Sequence, residues 1–176
     1  SAARHALAFL SYQEKFMAGS WRFNTYFGRD TLMSVRLLMP ALRPAAIEAG
    51  LGSVLARMNA SGEVAHEEGL SEFAILDRRK NGNAADDTLA ADSPTLDFGM
   101  IDDDYMLAPV ASAYLLEHAS PEQARTFLAQ PVASATTSGV REPAGTLLVR
   151  NLRHVVQQAR PFANTRSATS LVPIKT

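Results

Sequence analysis

A chain of 176 residues, 47% apolar and 20% charged, has enough material for one ordinary domain with a buried core. Its formal net charge of -1 gives nothing to attract nucleic acid or an acidic membrane, and no apolar run approaches the ~20 residues of a membrane span. The absence of cysteine removes disulfides, thiolate metal sites and thiol nucleophiles.

Ser1 to Leu10 lack the long apolar core and small-residue cleavage site of a signal peptide, so the sequence specifies no compartment. Ala2 to Met17 is predicted as an amphipathic helix on the imperfect stripe Ala6, Phe9, Leu10, Phe16 and Met17, closed by Gly19 and Ser20. The next helix is expected from Asp30 or Thr31, both good caps, to Met39 before Pro40. Ala45 to Met58 follows, with Ile47, Leu51, Val54, Leu55 and Met58 at helical spacing; Gly50 and Gly52 permit close packing there. A turn at Asn59–Gly62 leads into the polar–apolar mixture Glu63 to Leu76, and Arg78 to Pro94 reads as one long loop.

Asp102 to Leu116 is a further predicted helix, in which Pro109 must sit near the first turn or kink it. Ser120-Pro121-Glu122 is a strong helix start, with Pro at the first helical position and acid in the first turn. Gln130 to Ser138 reads as loop, Ala144 to Gln158 as the last helix, and Arg160 to Thr176 has no period. No strand series is evident. The expected class is all-α, built of stacked antiparallel helical hairpins.

Three constellations can carry chemistry. Arg29–Asp30 follows the aromatics Trp21, Phe23, Tyr26 and Phe27 and opens a helix. It is either a solvated ion pair with a cap, or a forked donor and an acceptor for sugar hydroxyls walled by rings. His66-Glu67-Glu68 cannot be a zinc-protease helix, because Leu70 stands where the second His belongs. It is a solvated acidic turn or a polar pocket wall able to bind hydroxyls or orient a water. Asp102-Asp103-Asp104 supplies helix-end acids, and three adjacent carboxylates exceed what capping needs. A cation site is the alternative there, although Met106 breaks the acidic pattern of terpene-type synthases. The basic series Arg141, Arg150, Arg153, His154 and Arg160 reads as a solvated helix face without the aromatic interleaving of a nucleic-acid surface.

F-G-R-D-T before an apolar helix, G-x-V-A-H-E-E, and D-x-G-M-I-D-D-D-Y-M-L-A-P-V occur in that order across Ala18 to Leu116. Together they resemble glycogen-debranching-type α-glucosidases, glycoside hydrolases built as a toroid of helical hairpins, the (α/α)6 barrel. The resemblance implies that residues 1–176 form about half of such a toroid, truncated at both ends. It implies a glucan or oligosaccharide substrate, no cofactor, no resident metal, and inversion at an α-1,6 or related α-glucosidic bond. By position, Trp21, Tyr26, Arg29, Asp30, His66, Glu67, Asp103 and Asp104 would line the pocket of a terminal glucosyl unit. In the resembling enzymes the acid-bearing segment follows a stretch like S-L-V-P-I-K. The general acid is therefore expected beyond Thr176, and the isolated chain is expected to be inactive. Should it hydrolyse, Glu67, Glu68 and Asp103 would be the first suspects. A non-catalytic helical glycan- or protein-binding module is the competing expectation. Exposed apolar helix faces are expected to drive self-association.

Overall fold

The computed structural model describes residues 11–12, 15–19, 23, 25–70, 74–76, 94–135 and 139–163. The longer elements are five α-helices: α1 (Gly28–Leu38), α2 (Pro44–Ala56), α3 (Asp102–Ala113), α4 (Pro121–Ala129) and α5 (Ala144–Ala163). A 3-10 turn, Met39–Ala41, follows α1, and α3 runs into a π-helical turn, Tyr114–His118. Three two-stranded antiparallel ribbons join them: β1 (Ser11–Tyr12) with β2 (Lys15–Phe16), β3 (Glu67–Gly69) with β4 (Thr95–Asp97), and β5 (Pro131–Ala133) with β6 (Arg141–Pro143). None of the described helices is long and apolar enough to cross a membrane.

The class is mostly helical, as the periodicity predicts, but the ribbons correct the strictly all-α expectation. Each strand is only two or three residues long, too short for the period-2 pattern to emerge from sequence. The helix expected up to Met17 is also wrong at its end, because Ser11–Tyr12 and Lys15–Phe16 form a ribbon. The loop expected at Arg78 to Pro94 lies, up to Ser93, outside the described residues.

α1 packs against both α2 and α3, and α5 packs against α3 and α4. Leu32 and Val35 of α1 and Met39 of the turn after it meet Ile47, Leu51, Val54 and Leu55 of α2, with Leu107, Val110 and Tyr114 completing the same core. Gly50 permits the α1–α2 approach: a Cβ there would lie 2.7 Å from Val35 Cγ2. Pro109 is the eighth residue of α3, not part of its first turn, and removes one intrahelical donor before the π turn. Within that turn the Tyr114 hydroxyl donates to Glu48, while its ring meets Phe127 edge-on at 6.0 Å. Ser120 caps α4 through a reciprocal box with Gln123, as the Ser-Pro-Glu signal suggests. α5 extends past the expected Gln158 to Ala163 and includes Pro161.

One buried ion pair ties α2 to β3. Arg57 Nη2 donates to both Glu68 oxygens, at 3.2 and 3.1 Å, and Nη1 donates to the Ser53 carbonyl at 3.1 Å. Its guanidinium lies 4.5 Å from the centroid of the buried Tyr26 ring. Removing one member strands the other's charge away from water, which costs about 3–5 kcal/mol; replacing both by apolar groups avoids that penalty. Arg57→Leu is expected to lower stability in urea unfolding by that order, and Arg57→Leu with Glu68→Leu to recover much of it.

Candidate functional site

The N-terminus of α1 is built differently from the expected Asp or Thr cap. Phe27 is extended, with φ -132° and ψ 121°, and no side chain caps the helix. Backbone from the β3 segment takes that role. The Gly28 amide donates to the His66 carbonyl at 2.8 Å, the Glu68 amide donates to the Tyr26 carbonyl at 3.1 Å, and Phe27 forms an antiparallel bridge with Glu67. The F-G-R-D segment is thereby fixed against A-H-E-E. The His66 amide in turn donates to the Asp97 carbonyl at 2.7 Å, which brings in the approach to α3.

Gly28 is where these segments converge. A Cβ on it would lie 2.6 Å from Asp103 Oδ1, 2.7 Å from the Ala65 carbonyl oxygen and 2.9 Å from the Tyr26 hydroxyl. Glycine alone admits all three oxygens so close to its Cα. Tyr26 and Asp103 are both fully buried, and neither the hydroxyl nor Asp103 Oδ1 has a hydrogen-bond partner among the described residues. An unpaired donor and an unpaired acceptor therefore stand close together.

The three acids opening α3 have separate partners, which accounts for the run that capping alone leaves unexplained. Asp102 faces Arg29 at 2.9 Å, and Arg29 also stands 3.8 Å from Asp30. Asp103 Oδ2 lies 3.1 Å from His66 Nδ1. Asp104 Oδ1 accepts from the Val64 amide at 2.6 Å, and Oδ2 stands 3.7 Å from His154 Nε2. Asp102 is partly exposed, whereas Asp103 and Asp104 are buried.

Outside this cluster, Phe27 meets the His66 ring edge-on at 6.0 Å, and Phe23 tilts against Phe27 at 5.7 Å. Phe23 is 53% exposed and connects to the polar cluster through Phe27.

Charge states follow from these contacts. Burial pushes the Asp103 carboxyl up to about 6, the nearby Asp102 charge adds to the rise, and His66 pulls the other way. Burial also acts to raise Asp102, but hydrogen bonding and charge from Arg29 outweigh it and hold Asp102 below its ordinary value. The hydrogen bond to Asp102 leads in raising Arg29 further above its already high value. The Tyr26 hydroxyl is raised first by burial and then by the charge of Asp103. One carboxyl held ionised beside one that takes a proton readily is an acid–base pairing of the kind enzymes use.

His66, Asp102 and Asp103 offer ligand atoms within 4.8 Å of one another. One imidazole and two carboxylates suit Zn²⁺ or Mn²⁺ better than Ca²⁺ or Mg²⁺. The Arg29 guanidinium on Asp102 opposes any such ion with a fixed positive charge.

Of the residues anticipated from sequence, Tyr26, Arg29, Asp30, His66, Asp103 and Asp104 belong to this linked set. Trp21 lies outside the described residues. Glu67 joins through its backbone and is half-buried on the β3 face opposite Glu68, since neighbouring strand residues alternate. His154 corrects the solvated-face expectation, being buried against Asp104, and Arg150 pairs with Glu142. Arg57 lies outside the motifs that stand out in the sequence, and nothing in the sequence marks Asp102 as the Arg29 partner. The signal for Arg57 was a charge set among Val54, Leu55 and Met58 on an otherwise apolar helix; for Asp102 no local signal exists, since its partner is 73 residues away.

No family model matches the chain, nor does any curated protein or solved structure.

Two measurements test the site's construction. Gly28→Ala must displace backbone as well as side chains and is expected to cost at least about 1–3 kcal/mol in urea unfolding. Gly52→Ala, whose new Cβ meets nothing within 4 Å, is expected instead to stabilise α2 by about 0.5–1 kcal/mol. Asp103 binds its proton more tightly folded than unfolded, so its favourable contribution is complete below about pH 4. That contribution is lost as pH rises through about 6. Stability should therefore fall between pH 4 and 6, and Asp103→Asn should flatten that slope.

Proposed function

We propose that this chain is a carbohydrate-active segment, the glucosyl-binding part of a glycoside hydrolase acting on α-glucosidic bonds of glucans. The observation that carries the proposal is the linkage of Arg29, Asp30, His66 and Asp103, from three separated motifs, with Phe27 against His66 and the exposed Phe23 packed on Phe27. Guanidinium and carboxylate groups supply donors and acceptors for vicinal hydroxyls, and an aromatic face suits the apolar side of a pyranose.

In this proposal the packed helices and ribbons form about half of an (α/α)6 toroid, a geometry supported by the resemblance of the three motif blocks. Arg29, Asp30 and Asp102 would meet the sugar, with His66 and the buried Asp103 beneath them. Hydrolysis needs a carboxylic acid to protonate the leaving oxygen and a second carboxylate to activate water, about 6.5–9.5 Å apart for inversion. Asp103, raised by burial, has the proton affinity for a part in such chemistry, but its bond to His66 favours a sugar-positioning role. The general acid would come from a further segment of the same toroid.

Titration with isomaltose or maltotetraose, followed by the fluorescence of Trp21 (the single tryptophan), tests binding directly. A saturable change at millimolar sugar is expected. Arg29→Ala and Asp30→Ala should each weaken it by about tenfold or more, the equivalent of ~1.4 kcal/mol, with little loss of stability because both side chains are partly exposed. No saturable response, or wild-type affinity in both variants, would remove the carbohydrate assignment in favour of a purely protein-binding helical module.

A further inference from the structure

α5 carries two stripes half a turn apart. Its inner stripe, Ala144, Leu147, Asn151 and His154, is buried against the rest of the molecule. Its outer stripe is Val149, Leu152, Val156 and Ala159, spaced three, four and three residues apart. That is the a/d spacing of a helix–helix seam, sustained over about 15 Å of helix. Val149, Leu152 and Val156 are 46%, 48% and 55% exposed. A surface helix needs one apolar stripe for its own core. The second stripe has no function within the described fold.

The electrostatics beside the seam define what fits it. α5 contains Arg150, Arg153 and Arg160 and no acidic residue, in a chain whose net charge is -1. Arg150 is neutralised by Glu142, but Arg153 and Arg160 are exposed at the positions following Leu152 and Ala159, along one flank of the seam. On that flank lies a groove of about 580 Å³ lined by Ser61, Thr146, Val149, Arg150, Arg153 and Gln157. A second copy of this helix laid antiparallel would set Arg153 and Arg160 against their own counterparts, and like charges across a seam select against that pairing.

We infer that the outer face of α5 docks an amphipathic helix of a partner segment, apolar at its a and d positions and acidic on the flank that meets Arg153 and Arg160. Recognition follows the helix-in-groove mode: the apolar knobs give affinity and the arginines set orientation and selectivity. This is independent of the carbohydrate site, since no residue of the outer stripe belongs to it.

The test uses the full chain and two labelled peptides of equal length, both with Leu and Val at a and d, one with Glu on the flanks and the other with Lys. Fluorescence anisotropy is expected to show saturable binding of the Glu peptide, weakened by added salt, and binding of the Lys peptide at least about tenfold weaker. Leu152→Glu should lose the Glu peptide, and Arg153→Glu with Arg160→Glu should reverse the preference. Both sets of changes are on exposed positions, and unchanged thermal unfolding confirms the fold. Equal affinity for the two peptides, binding of neither, or a wild-type response in Leu152→Glu would overturn the inference. So would light scattering that shows a dimer abolished by Leu152→Glu, because the occupant would then be a second copy.

Discussion

The approach of the β3 segment to the first turn of α1 depends on the missing side chain of Gly28. With a Cβ there, Asp103 Oδ1, the Ala65 carbonyl and the Tyr26 hydroxyl could not keep their places. The backbone bonds from Gly28 to His66 and from Glu68 to Tyr26 would have to move with them. Those bonds replace the side-chain cap that α1 lacks. The same steric allowance therefore starts a helix, seats a ribbon and brings a buried carboxylate toward a phenol.

Around that point, charge is distributed by depth. The partly exposed Arg29–Asp102–Asp30 group sits where water screens it, so it contributes little to stability. The His66–Asp103 pair lies deeper, and Arg57–Glu68 is nearly enclosed beneath Tyr26. In the Arg57–Glu68 pair each charge requires its partner, since an unpaired ion in a low-dielectric interior is costly. The buried pairs thus hold the three segments together beneath the exposed charges.

Local signals located most of the helices. The stripe Ile47, Leu51, Val54 and Leu55 does form the buried face of α2, and Ser120-Pro121 does open α4 with a capping box. Helix ends were less legible. Asp30 and Thr31 carry capping side chains, yet α1 starts at Gly28 because strand backbone reached its amides first. The ribbons were missed for a related reason: two or three paired residues stabilise one another across a turn or loop without imprinting a period on either strand. In α5, sequence identified a basic helical face but could not tell His154, turned inward to Asp104, from Arg153, turned out.

Sequence by itself determined which chemistries were available: carboxylates, guanidinium, imidazole and rings near element starts, with no thiol and no apolar run long enough for a membrane helix. It also determined where helical periodicity would persist, because 3.6-residue spacing is a property of neighbours along the chain. Tertiary structure alone decided who partners whom. Arg29 met Asp102, His66 met Asp103, and Arg57 met Glu68 and Tyr26 through contacts that depend on how three segments pack. It also decided depth, which raises Asp103 while Arg29 holds Asp102 down, although the two are adjacent and chemically identical. Desolvation and Coulomb energies depend on distance and surroundings in space, and neither quantity is written in residue order.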